Sequence, residues 1–148
     1  MDAVTATQVA DKSVGLLVDA WNAHDADAFA QAFNDDAEFT NVFGMTAFGR
    51  EEIGQFHEPI FRTMFSESTL EALDIRTKTI RGDVIAVDMR WAMNGARDPH
   101  GAPWPERRGL MSLICTSDGE HWGIATMHNM DLPDTAMAQA QAAIQSTE

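Results

Sequence analysis

The stretch His121-Trp122-Gly123-Ile124-Ala125-Thr126-Met127-His128-Asn129 reads as the last strand of a sheet. Successive side chains of a strand point to opposite faces, so this strand must agree with its partner about which face is buried. The preceding run, Leu110 to Thr116, alternates in the same way and is joined to it through Ser117-Asp118-Gly119-Glu120. A four-residue hairpin loop pairs Thr116 with His121. One face then carries Cys115 beside Trp122, Leu113 beside Ile124, Met111 beside Thr126 and Gly109 beside His128. The other carries Ile114 beside Gly123, Ser112 beside Ala125, Leu110 beside Met127 and Arg108 beside Asn129. Glycine opposite His128 leaves that imidazole with room in front of it, so the first face is expected to line a pocket.

A second hairpin runs Thr69 to Ile80 and Val84 to Met93 around Arg81-Gly82-Asp83. A three-residue loop pairs Ile80 with Val84 and sets Leu73, Ile75 and Thr77 opposite Trp91, Met89 and Val87. On the other face Arg76 meets Asp88 and Asp74 meets Arg90, which is the stabilising arrangement of charges across strands. A two-residue loop would set Arg76 against Met89.

The chain has 148 residues, enough for one domain with a real core, and 45% of them are hydrophobic. With 10 basic against 23 acidic residues and a formal net charge of -13, it is a poor partner for nucleic acid, which needs clustered Lys and Arg. Met1 to Gln8 holds no basic region followed by an apolar run, and no window is long and apolar enough to span a membrane, so a cytoplasmic protein is expected. The single cysteine, Cys115, sits mid-strand on the apolar face and reads as core rather than as a nucleophile.

From Thr7 to Asn22, Val9, Val14, Leu17, Val18 and Trp21 recur at helical spacing. Asp25 is a natural N-cap for a short second helix through Phe33, with Phe29 and Phe33 one turn apart. Ala37 to Phe43 alternates as a short strand, with Phe39, Asn41 and Phe43 on one side, and a Gly44 to Gly49 loop follows. A third helix begins at Arg50-Glu51-Glu52-Ile53; its stripe is Ile53, Phe56, Ile60, Phe61 and Met64, with His57 inside it. Pro59 should produce a kink or a second start and free the Gln55 carbonyl. The Gly- and Pro-rich Asn94 to Glu106 segment reads either as a lid carrying Trp104 or as a rigid surface loop. After Pro133, Asp134 caps a weak helix to Ser146 or the end frays. No nucleotide-binding, nucleophile-elbow or zinc-protease motif is present.

Trp21-Asn22, His24 to Phe29, Phe33, Asp36, Phe39, Asn41, Gly44, Gly49 to Ile53, His57, Phe61, Trp122, Ile124, Ala125, His128 and Asn129 together resemble the nuclear transport factor 2-like superfamily. Within it they are most similar to the SnoaL-like group, in its SgcJ/EcaC-type branch. The resemblance implies an α+β fold, a cone-shaped roll with the N-terminal helices packed in the concave face of a curved, mostly antiparallel sheet. The resemblance runs from about Thr7 to Asn129, and one such domain is expected over residues 1–133, with 134–148 as a tail of weak helix or disorder. It also implies that the inward residues converge on one apolar cavity for a small organic ligand. His128, His57 and Asn41 are then candidates for acid–base chemistry, two imidazoles with an amide that polarises a carbonyl. Each has a structural reading too: His57 as a core histidine bound to the Gln55 carbonyl, His128 as a strand-end anchor, Asn41 as a buried amide. Trp91, Phe39, Trp104, Trp21, Met111 and Thr126 would contact the ligand. His24 is assigned to a turn, and His100 and His121 to solvent.

No cofactor is expected, and no metal, since no inward acid joins His57 and His128 as a third ligand. The chain has no tyrosine, so the tyrosines of ketosteroid isomerases and scytalone dehydratases have no counterpart. SnoaL-type cyclases rely on an acidic base, whereas the inward positions expected here are Trp122, Ile124, Thr126 and His128. Two readings follow: an isomerase, cyclase or hydro-lyase with a histidine base, or a ligand-binding module without chemistry. The outward residues Leu110, Ser112, Ile114, Ala125 and Met127 form a small-sided apolar face, and relatives of this fold dimerise through the sheet, so a homodimer is expected.

Overall fold

The computed structural model describes residues 3–146; the outermost residues of the expected domain and tail, 1–2 and 147–148, lie outside the described residues. The chain forms α1 (Ala3–Asn22), α2 (Ala26–Gln31), β1 (Phe33–Thr40), β2 (Thr46–Phe48), α3 (Arg50–Arg62), β3 (Thr69–Arg81), β4 (Val84–Asn94), β5 (Arg107–Ser117), β6 (Trp122–Asp131) and α4 (Ala136–Ser146). This is the α+β roll expected. Six strands in the order β2-β1-β6-β5-β4-β3 make one curved sheet, antiparallel except where β1 lies beside β6. Val9, Val14, Leu17 and Trp21 of α1 and Ile53, His57 and Phe61 of α3 are buried against its concave face. No helix among the described residues is long and apolar enough to cross a membrane.

Local propensity loses to tertiary partners after α2. Asp25 caps that helix as expected, its carboxylate accepting from Ala28 N at 3.0 Å. Phe33, however, belongs to β1 rather than to the helix. The Ala32 carbonyl is taken by Ile124 N at 3.0 Å, and the Phe33 carbonyl by Arg50 Nε and Nη2 at 2.9 and 2.8 Å, so the backbone leaves the helix two residues early. The expected Gly44 to Gly49 loop contains β2, paired with β1 through Phe39 and Ala47. Pro59 lies inside a single helix, α3, with no second start. Thr135, not Asp134, caps α4, its hydroxyl accepting from Ala138 N at 3.1 Å, and no residue of α4 is buried.

The hairpin registers hold in part. Between Asp74 and Thr79 the β3–β4 pairing is the expected one, and Arg76 meets Asp88 at 2.7 Å. Arg81 rather than Ile80 pairs with Val84, and Ala72 rather than Leu73 pairs with Trp91. Ile80 and Leu73 are extra residues in bulges and stand exposed.

The β5–β6 hairpin departs further. Thr116 pairs with Gly123, not His121, which keeps Ile124 inward but beside Cys115. Ala125 then bulges, so that Ile114 pairs with Thr126, Leu113 with Met127, Met111 with Asn129 and Gly109 with Asp131. A one-residue slip exchanges the faces of everything beyond it. Met127, expected on the outside, is fully buried; His128 and Thr126, expected in the cavity, are on the outer face. The room that Gly109 leaves serves Trp91 instead. A Cβ there would overlap the Trp91 indole and come within 2.6 Å of the Met130 carbonyl oxygen.

Gly109→Ala should therefore cost about 2–3 kcal/mol, because neither the sheet backbone nor the buried indole can yield cheaply. Urea unfolding of the variant beside the wild type measures it; an unchanged midpoint would mean that the indole is not held where described.

Candidate functional site

His57 is placed by the helical stripe of α3 and is 1% exposed. Its Nδ1 donates to the Ile53 carbonyl at 2.8 Å, one turn back, rather than to the Gln55 carbonyl. That bond leaves Nε2 with no partner among the described residues. Around the imidazole stand Phe29, Phe39, Phe56 and Phe61, with ring centroids at 4.2, 4.7, 5.2 and 5.5 Å, and Trp21 at 6.3 Å. Burial among these rings disfavours the imidazolium more than the Ile53 carbonyl favours it, and the pKa falls from 6.5 to about 4. The ring is neutral at pH 7, with a lone pair on Nε2.

His57 is part of the wall of a cavity of about 640 Å³ between the helices and the sheet. Trp21, Phe39, Trp91, Trp104 and Met111 line it with His57 and Asn41; His128 and Thr126 do not. Size and wall suit a small organic molecule. Trp21 is held by its indole N–H on the Ser68 hydroxyl at 2.9 Å, and Trp91 by its own on Asn129 Oδ1 at 2.8 Å. Asn41 closes the β1–β2 turn: its Oδ1 accepts from Phe43 N and Met45 N, both at 2.9 Å, so only its Nδ2 is open to a ligand. Phe43 and Trp104 stack at 6.5 Å, both on the cavity wall. The segment carrying Trp104 is tied down by Trp104 N on the Ala96 carbonyl at 2.8 Å and by the Arg97–Glu67 ion pair at 2.8 Å.

Sequence reasoning missed Arg107 and Asp131 as site residues and set Asn129 on the outer face. Asn129 faces inward only because of the Ala125 bulge, and so does Asp131. Arg107 shares the inward parity of Gly109 and Met111, and that parity was the one signal available for it. It is 9% exposed, lines the cavity, and pairs with Asp131 at 2.8 Å. An acid thus does stand on the inner face of the last strand, engaged by arginine.

The other groups have structural roles. His24, at φ 54, turns the chain after α1 with Nε2 3.1 Å from the Ser68 carbonyl oxygen, and His100 and His121 are exposed. Cys115 is buried, its sulfur 3.6 Å from the Ser13 hydroxyl, and burial pushes its thiol up. His57 and His128 lie on opposite sides of the sheet, and no three metal-ligating side chains cluster among the described residues.

Residues 14–120 match the SnoaL-like domain family. No curated protein matches the chain. Among solved structures it superposes on an uncharacterized protein with a cystatin-like fold from Caulobacter vibrioides, 21% identical over 95% of this chain and 99% of that one, with a TM-score of 0.86. A domain of unknown function with a cystatin-like fold from Nostoc punctiforme is 19% identical over 97% and 96%, at a TM-score of 0.78. A nuclear transport factor 2-like superfamily protein from Salmonella enterica is 17% identical over 93% and 99%, at 0.77. At these identities what is shared is the fold.

The depressed pKa of His57 sets a pH dependence. The unfolded chain takes up the proton near pH 6.5 and the folded one only near 4, so stability is complete above about 6.5 and falls as the pH drops toward 4. The loss is roughly 3 kcal/mol across that window. Urea midpoints at pH 7 and 4.5 should differ more for the wild type than for His57→Phe, which keeps an aromatic ring and cannot titrate; equal differences would contradict the assignment.

Proposed function

The chain belongs to the SnoaL-like domain family, and from that premise we propose that its cavity takes up a small, ring-bearing apolar organic molecule whose hydroxyl donates to His57 Nε2. The observation that carries this is a neutral imidazole with one free nitrogen, set in an aromatic wall that otherwise offers few polar atoms. A hydroxyl that meets this nitrogen keeps its hydrogen bond on leaving water; a pure hydrocarbon gains only burial. Trp21, Phe39, Trp91, Trp104 and Met111 supply flat and polarizable contact surface.

The same nitrogen supports a second reading, in which His57 is the general base of an isomerase, cyclase or hydro-lyase and Asn41 Nδ2 polarises a carbonyl. A base whose conjugate acid has a pKa of about 4 is always unprotonated at neutral pH but accepts a proton weakly. Binding is accordingly the first reading. Methyl NMR on the cavity methionines Met64, Met93 and Met111 tests it with 2-naphthol against 2-methylnaphthalene. The naphthol should bind about three- to tenfold more tightly, the worth of one neutral hydrogen bond, and His57→Phe should erase the difference. If neither compound moves these methyl signals, the cavity reading fails. The catalytic reading requires in addition that deuterium enter the α-position of a bound ketone in D2O, and that His57→Phe abolish the exchange.

The homodimer is a proposal of the same kind, on a corrected face. Leu110, Ser112 and Ile114 of β5 stand outward with Ala86 of β4 and Thr126 of β6, crossed by a polar row in which Asp88 is held by Arg76 at 2.7 Å and by Ser112 at 2.8 Å. A self-complementary pairing of two such faces would cover the apolar positions. Light scattering at micromolar concentration should give twice the chain mass, and Ile114→Glu should halve it; a monomeric wild type would rule the pairing out.

A further inference from the structure

Arg107 opens β5 with its side chain on the concave face, where a cation is costly to bury. Its guanidinium carbon lies over two indoles, with Cζ 3.8 Å from the Trp104 ring centroid and 5.4 Å from that of Trp91. Cation–π attraction at these distances offsets part of its desolvation. One Nη2 proton goes to Asp131 at 2.8 Å, and Nη1 reaches only the weak acceptor Met93 Sδ at 3.8 Å. Nε is buried with no hydrogen-bond partner. A guanidinium has five N–H donors, so most of this one's capacity is unspent on protein, although it lines the cavity. Buried donors left unmatched are expensive, and a native fold that retains one needs a reason for it.

We infer that Arg107 is the second polar anchor of the cavity, donating to an acceptor oxygen on the bound molecule. This rests on the ligand-binding reading above and narrows it. The ligand then carries an acceptor oxygen, in a carbonyl or carboxylate, for Arg107 and a hydroxyl for His57, with a ring system between them against Trp91 and Phe39. Asp131 already balances the arginine's charge, so a neutral carbonyl satisfies the site as well as a carboxylate does. Asn129 serves indirectly: by accepting from Trp91 Nε1 it fixes the indole on which the guanidinium lies.

The test uses three naphthalenes of matched shape: 2-acetylnaphthalene, 2-naphthoate and 2-isopropylnaphthalene. On the wild type, the ketone should bind about tenfold or more tightly than the hydrocarbon and at least as tightly as the carboxylate, and should shift the Arg107 guanidinium Nη–H NMR signals. Arg107→Met should bring the ketone down to the hydrocarbon's affinity without weakening the hydrocarbon. Arg107→Lys, which keeps the charge beside Asp131 and so guards against loss of fold, should lose most of the preference because it lacks the planar fork. A ketone preference that survives in both variants, or guanidinium Nη–H signals that ignore the ketone, overturns the anchor while leaving the cavity reading intact. A strong preference for the carboxylate overturns the neutral-acceptor assignment. Failure of all three compounds to bind overturns the anchor together with the reading on which it rests.

Discussion

The concave face depends on one close packing event across three strands. The Trp91 indole on β4 lies over Gly109 on β5, where any side chain would collide with it, and its N–H ends on Asn129 of β6 at 2.8 Å. For Asn129 to be there, β6 must change faces partway along, and the bulge at Ala125 provides the change. The same slip turns Met127 into the core and brings Asp131 to Arg107, so a core thioether, a half-buried amide and a half-buried ion pair all follow from one extra residue. Bulges concentrate where a sheet must re-aim a side chain, and here the re-aimed residues form one end of the cavity.

The other end is made by helices. Trp21 of α1, Phe29 of α2 and Phe56, His57 and Phe61 of α3 meet as a set of rings. The C-terminus of α1 is fastened to the start of β3 by a two-way bond between the Asn22 amide and the Leu70 backbone, at 2.7 and 2.9 Å. Trp21 is thereby held in position. An imidazole in such surroundings loses its charge and keeps one hydrogen-bonding nitrogen, which makes it a selective acceptor before it is anything else.

Between the two ends the wall is aromatic and thioether, and the polar groups are few and individually fixed: His57 by Ile53, Asn41 by its own turn, Asn129 by Trp91, Arg107 by Asp131 and two indoles. Each has one hydrogen-bonding element committed to the protein. A cavity of this kind recognises where the polar atoms of a ligand lie more than how many there are, because mismatched atoms would be stranded in an apolar space.

Periodicity determined the run of helices and strands, the inward stripe of α3 with His57 in it, the central β3–β4 register and the inward face of β5, and the family resemblance of those residues implied the class of fold. These are local regularities, and a stripe or an alternation survives whatever packs on it. Only the tertiary structure decided the rest. A bulge leaves no mark in an alternating sequence such as Ile124 to Asn129, where either parity offers plausible inward residues, so the choice fell to Trp91, which needed both the gap at Gly109 and the Asn129 amide. Phe33 left its helix because Arg50 and Ile124 claimed the backbone there. Arg107 drew no expectation from the sequence, because a charge goes inside a protein only where partners distant in the chain converge on it, here two indoles and Asp131.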